Sequence, residues 1–289
     1  MTTSLLWIVL ATLAGGLLSV LIAAGLTLAM LKLIVRHLVS LSAGVLLGTA
    51  LLNVLPEAFE RAGEAGAASP QALFAALLGG LVFFFLLEKA ELYRHSHHHE
   101  GDDPHHHHHH GFDAEQAGRG GLSVLVGDSI HNFCDGVLIA AAFLADTSLG
   151  VVTALAIIAH EIPQEVGDYI VLLNAGLSRA RALAYNAVSG MAAVAGGVLG
   201  WWVIQPFEAW LPFLLVVASS SFVYVAVADL IPQLQRRLSG RDTAAQLGFF
   251  AVGLAIAAAA GLAHGLVGYE HSHGHEHGAA PARVTTPTE

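Results

Sequence analysis

Two short stretches hold the side chains best suited to chemistry: "HNFCDG" at 131–136 and "HEIPQE" at 160–165. At about 100° per helical residue, Asp128, His131, Asn132 and Asp135 fall on one stripe about 100° wide. His160, Glu161, Gln164, Glu165 and Asp168 form a second stripe, about 140° wide. The pairs His160/Gln164 and Glu161/Glu165 are spaced i, i+4, so their side chains can converge. Cys134 falls on roughly the opposite side of its helix. The rest of both segments is mostly Ala, Val, Ile and Leu, and neither contains Lys or Arg. A carboxylate in such surroundings costs about 2.5–3.5 kcal/mol at a bilayer centre. A divalent cation would supply the missing positive charge. Imidazole with carboxylate and amide oxygen suits Zn(II), Fe(II), Mn(II) or Cd(II) better than the sulfur-seeking Cu(I). A lone buried His or Asn is more often an interhelical hydrogen-bonding group, but two adjacent segments with a His and several carboxylates each favour metal.

Pro163 lies inside the second stripe. It has no N–H, so the Ala159 carbonyl loses its helical partner and a kink or opening is expected there. Such a defect is tolerated in lipid where it lines a wet cavity or is satisfied by neighbours. The freed carbonyl, beside His160, is a candidate ligand or water anchor.

The elements that position these stripes are long apolar helices. Of 289 residues, 55% are hydrophobic and only 12% charged, about half the charge of a soluble protein, which predicts an all-α membrane protein. Glycine, at 31 residues, suits close helix packing in lipid. Eight spans are read at about 5–31, 38–59, 72–93, 121–145, 150–174, 180–204, 209–231 and 244–268, each near the ~20 residues a bilayer requires. The N-terminal apolar run is too long for a signal peptide and lacks a positive leader. One cysteine excludes an intramolecular disulfide and a Cys-based zinc motif, and a net charge of −10 argues against nucleic acid.

Ten of the twelve Lys and Arg residues lie near the loops after spans one, three, five and seven: Lys32, Arg36, Lys89, Arg94, Arg119, Arg179, Arg181, Arg236, Arg237 and Arg241. By the positive-inside rule these loops are cytoplasmic and both termini extracytoplasmic. The chain then divides into spans one to three (1–93), a His-rich disordered cytoplasmic loop (94–120), spans four to eight (121–269) and a His-rich extracytoplasmic tail (270–289). His97, His98, His99 and His105 in the loop, with His271 and His273 in the tail, are read as weak auxiliary metal binders, because flexible tracts cannot preorganise a site.

The two motifs resemble the fourth- and fifth-helix signatures of the ZIP (Zrt/Irt-like) divalent metal transporters, "HEIPQEVGD" resembling the LIV-1-like branch. The eight spans, outside termini and His-rich third loop agree. The resemblance implies metal import toward the cytosol between the fourth and fifth spans, a 3+2+3 inverted repeat with those spans central, and a homodimer. It makes His131, Asn132, Asp135, His160, Glu161 and Gln164 the ligand positions, with Asp128, Glu165 and Asp168 along the path. Some relatives hold two carboxylate-bridged metals. Here Gln164 is neutral and Ala193 stands where a sixth-span Glu would, so one well-held metal is implied.

The expected activity is transport of zinc or a similar divalent cation, as substrate and without a resident cofactor, by a multi-pass protein of a bacterial inner membrane rather than by an enzyme. Two other readings compete. "HEIPQ" echoes the H-E-x-x-H of metalloproteases, but Gln164 replaces the second His. Metal efflux is the other, although exporters with His-rich loops usually have six spans and a soluble C-terminal domain. Asn53 and Glu57, spaced i, i+4 around Pro56, are read as a way station at the outer mouth or as a polar helix end. Asp229 could face the exit, but a helix-end carboxylate near Arg236 and Arg237 is favoured.

Overall fold

The computed structural model describes residues 2–25, 28–65, 68–96, 121–174, 176–235 and 240–273. Every regular element among them is helical, and the helices join into eight rods. The first is α1 (Thr2–Gly25); the second is α2 (Leu28–Thr49), a π-helical turn (Ala50–Val54) and α3 (Leu55–Ala65). The third to sixth are α4 (Pro70–Ser96), α5 (Gly121–Ala145), α6 (Thr147–Asn174) and α7 (Arg179–Ile204). The seventh is α8 (Leu211–Tyr224), a second π-helical turn (Val225–Leu230) and α9 (Ile231–Gln235); the eighth is α10 (Gly240–His273).

Seven rods are both long and apolar enough to cross a membrane. The remaining one, α5, has the length but is diluted by Asp128, His131, Asn132 and Asp135. The eight-span, all-helical expectation therefore holds. Two boundaries move outward: α4 takes in residues 94–96 assigned to the loop, and α10 takes in 270–273 assigned to the tail; a third moves inward, since α1 ends at Gly25 and α2 begins at Leu28, inside the first span read at 5–31. Hydropathy marks where lipid ends, whereas a helix can continue into water. His97, His98, His99 and His105 lie outside the described residues, as do the side chains of His271 and His273.

Both π turns precede a proline, Pro56 in the second rod and Pro232 in the seventh. A proline ring crowds the carbonyl four residues back. The wider turn relieves this with i→i−5 bonds: Leu55 N–H donates to Ala50 O and Ile231 N–H to Ala226 O.

α6 runs through the molecule against α1, α2 and α5, while α5 packs along α7 and α2 along α10. Small residues allow these approaches. A Cβ on Gly136, the last residue of "HNFCDG", would collide with the Ala193 carbonyl and Gly197 amide of α7. On the other side, one on Gly44 would meet the Phe250 carbonyl of α10. Ala193 thus sits on a backbone contact that seats α5. A single residue, Asp146, joins α5 to α6 and caps the latter: Oδ1 accepts from the Ser148 amide at 2.7 Å and the Leu149 amide at 3.1 Å.

Candidate metal centre

The site forms midway along α5 and α6, the two helices whose stripes face each other. His131 and Asp135 lie one helical turn apart on α5; His160 and Glu161 come from α6. One ligand atom from each lies within 4.8 Å of every other. The two His Nε2 atoms are 3.2 Å apart. From Asp135 Oδ2, His160 Nε2 is 3.1 Å away and His131 Nε2 3.7 Å. From Glu161 Oε1 the same nitrogens are 3.6 and 3.8 Å away.

These separations have a chemical meaning. A tetrahedral zinc with bonds of about 2.0–2.1 Å has ligand–ligand edges of about 3.3–3.4 Å. The five measured pairs straddle that value. The imidazole nitrogens face each other with rings nearly perpendicular, at 85°. His160 Nδ1 points to the Ala156 carbonyl at 3.4 Å, the orientation that leaves Nε2 as the ligand atom.

Burial is near complete. His160, Asp135 and Glu161 expose 2% or less of their surface, while the His131 side chain is 20% exposed. Neither Glu161 oxygen has a hydrogen-bond partner, an expensive arrangement for a buried carboxylate unless a cation completes it.

The side-chain amides of the other two expected ligands, Asn132 and Gln164, both reach Asp128. Asn132 Nδ2 donates to Asp128 Oδ1 at 3.1 Å, and Gln164 Nε2 donates to the same oxygen at 3.1 Å. Asp128 is thereby tied to both helices, and its second oxygen is buried without a partner. Glu165 is fully buried with both oxygens unpartnered, its main-chain carbonyl accepting from Asn186 of α7 at 2.8 Å. Cys134 is a half-buried free thiol outside the cluster.

A cavity of about 200 Å³ leads away from the cluster. His160, Pro163, Gln164 and Asp168 line one wall, Asp229 and Gln233 of the seventh rod another. It runs toward the ends of α6 and α9, the face bearing the loops after the fifth and seventh rods. Asp229, favoured above as a helix-end carboxylate, opens into this cavity and accepts from Gln233 Nε2 at 2.9 Å. Its distance from α6 is set by tertiary packing, which no local pattern encodes.

Toward the opposite ends of α5 and α6 the residues pack into the core. Leu149, Ala154, Ala156 and Ile157 of α6 are buried in the apolar core. Arg61 Nε donates to Glu57 Oε1 at 2.6 Å, and its Nη2 donates to the last carbonyl of α5, Ala145 O, at 2.5 Å. Asn53 is buried, with Nδ2 donating to Ala257 O of α10 at 3.0 Å. Asn53 and Glu57 therefore stand outside the cluster, in contacts that tie α3 to α5 and the second rod to the eighth.

Comparison with known proteins agrees with this architecture. The chain matches the model of the family described as ZIP Zinc transporter over residues 1–110 and 87–263. It is 39% identical over 127 residues to the zinc transporter ZIP10 of Danio rerio, covering 44% of this chain and 15% of that protein. It is 37% identical over 157 residues to human ZIP10, covering 54% and 18%. With human ZIP4 the identity is 42% over 113 residues, covering 38% and 17%. The match spans less than a fifth of the length of each of these relatives. With the family model matched along most of its length and the two signature helices facing each other, the chain belongs to the ZIP zinc transporter family.

Proposed function

We propose that this protein carries Zn(II), or a similar divalent cation, into the cytoplasm through the cluster of His131, Asp135, His160 and Glu161. The observation that carries the proposal is the set of two imidazoles and two carboxylates, with ligand atoms within 4.8 Å of one another, between membrane-length helices. Asn132 and Gln164 act beside it, holding Asp128 in place or turning their amide oxygens toward the passing ion. Asp128, Glu165, Asp168 and Asp229 supply negative charge along the route. The face onto which the cavity opens is the Lys- and Arg-rich one, which supports an inward-facing state.

The relatives are named zinc transporters, which supports zinc as the substrate. Membership in a transporter family sets aside the metalloprotease reading. The matching π turns before Pro56 and Pro232 support an inverted repeat that pairs the second rod with the seventh. Homodimerisation belongs to the same proposal and rests on the family resemblance; a bacterial inner-membrane location is proposed beside it.

Zinc uptake into proteoliposomes tests this. The parent should load zinc, and His131→Ala and His160→Ala should not. Uptake by both variants at the parent's rate would defeat the site assignment. A zinc-sensitive rather than zinc-starved knockout would reverse the direction.

A further inference from the structure

We infer that Ser42 is a positioning residue for the metal centre, holding in place the peptide unit from which His160 projects; this rests on the transport reading above. Pro163 deprives the Ala159 carbonyl of its i→i−4 donor, yet α6 continues unbroken from Thr147 to Asn174. The missing donor comes from another helix. The Ser42 hydroxyl of α2, 117 residues away in sequence, donates to Ala159 O. Ser42 itself is fully buried.

The consequence reaches the metal ligands through covalent geometry. The Ala159 carbonyl and the His160 nitrogen belong to one planar unit. Anchoring the oxygen fixes the plane, and with it the direction in which the His160 side chain leaves the backbone. His160 Nε2 is the atom that lies 3.1 Å from Asp135 and 3.2 Å from His131. Glu161 follows on the same turn.

The site of the defect makes the anchor matter. Val39, one turn before Ser42 on α2, lines the cavity together with His160 and Pro163. A proline ring pushes the carbonyl four residues back away from the helix axis. Without the Ser42 hydroxyl that oxygen loses the donor that stands in for the missing backbone amide, and the peptide plane is no longer anchored.

Zinc uptake by proteoliposomes containing the full chain supplies the test. Ser42→Ala should raise the zinc KM about tenfold, as an orphaned buried acceptor implies, with Vmax within about twofold of the parent. Ser219→Ala serves as control. Its hydroxyl reaches Ala50 O at 3.4 Å, a carbonyl that also receives the Leu55 amide, so its KM should match the parent's. Pro163→Ala restores the backbone donor to Ala159, and in that background Ser42→Ala should change KM by less than about twofold.

An unchanged KM in Ser42→Ala, a fall in Vmax alone, or the same KM penalty in both backgrounds would overturn the inference. If the parent moves no zinc, the transport reading fails separately. Zinc affinity by calorimetry then decides: about tenfold weaker binding by Ser42→Ala supports positioning, while unchanged binding, or none by the parent, overturns it.

Discussion

The second and seventh rods use the same backbone device and end differently. Each has a π turn followed by a proline, and each places a polar residue three positions before that proline: Asn53 before Pro56, Asp229 before Pro232. Asn53 is buried against the Ala257 carbonyl of α10, and beyond it Arg61 bonds both Glu57 and the end of α5. Asp229 is exposed, shares a hydrogen bond with Gln233 and faces the cavity that begins at His160. A widened turn is therefore not a gate in itself. Whether that region is dry or wet is decided by what the polar side chain finds across from it, a carbonyl in one rod and open space in the other.

That contrast assumes a single cation site shared by both faces. The largest effect should come from removing it: Asp135→Ala should lower zinc uptake about 100-fold or more, since it deletes a charged ligand from a four-membered set. A cysteine scan compares the faces directly. In a Cys134→Ala background, a membrane-impermeant thiol reagent should label an Asp229→Cys variant at least about tenfold faster than an Asn53→Cys variant, in line with local opening free energies. Equal rates would erase the comparison.

Arg61→Ala should narrow that gap. Losing its two charge-assisted bonds removes about 1.5–3 kcal/mol from the closed face, so Asn53→Cys labelling from the far side should rise about tenfold or more. Asn53→Asp, which sets a carboxylate against the Ala257 carbonyl, should cost about 1–3 kcal/mol of stability, read as a lowered Tm. The smallest change expected is a two- to fivefold loss of uptake in Asp229→Asn, because a solvated wall charge attracts the cation without ligating it (about 1 kcal/mol).

Much of the architecture was legible because lipid imposes it. Apolar runs of bilayer length located all eight rods, and helical phase put His131 and Asp135 on one face and His160 and Glu161 on another. Cys134 could be set aside by the same geometry. The amides were harder. Asn132 and Gln164 share those faces, but an amide turns toward whichever group is nearest, and here that is Asp128. Pro163 announced a missing donor; nothing near it announced Ser42, because the replacement comes from a different helix. Asp229 looked like an ordinary helix end, since the cavity beside it exists only once α6 and the seventh rod have packed. The prolines at 56 and 232 were visible, while the π turns ahead of them depend on how each rod absorbs the crowding.

The one-residue link at Asp146 makes α5 and α6 a pair of callipers. Their arms are joined at one end, with Asp146 fixing the start of the second arm through its bonds to the Ser148 and Leu149 amides. His131 and His160 sit at nearly equal reach along the two arms, about 21 Å from the pivot at 1.5 Å per residue. At that radius, opening the arms by about 3° separates the imidazoles by about 1 Å, enough to carry four ligands from a fit around a small tetrahedral ion to a loose grip on a larger one. The start of the arm that carries His160 is thus fixed some 20 Å away, by a carboxylate outside the metal cluster.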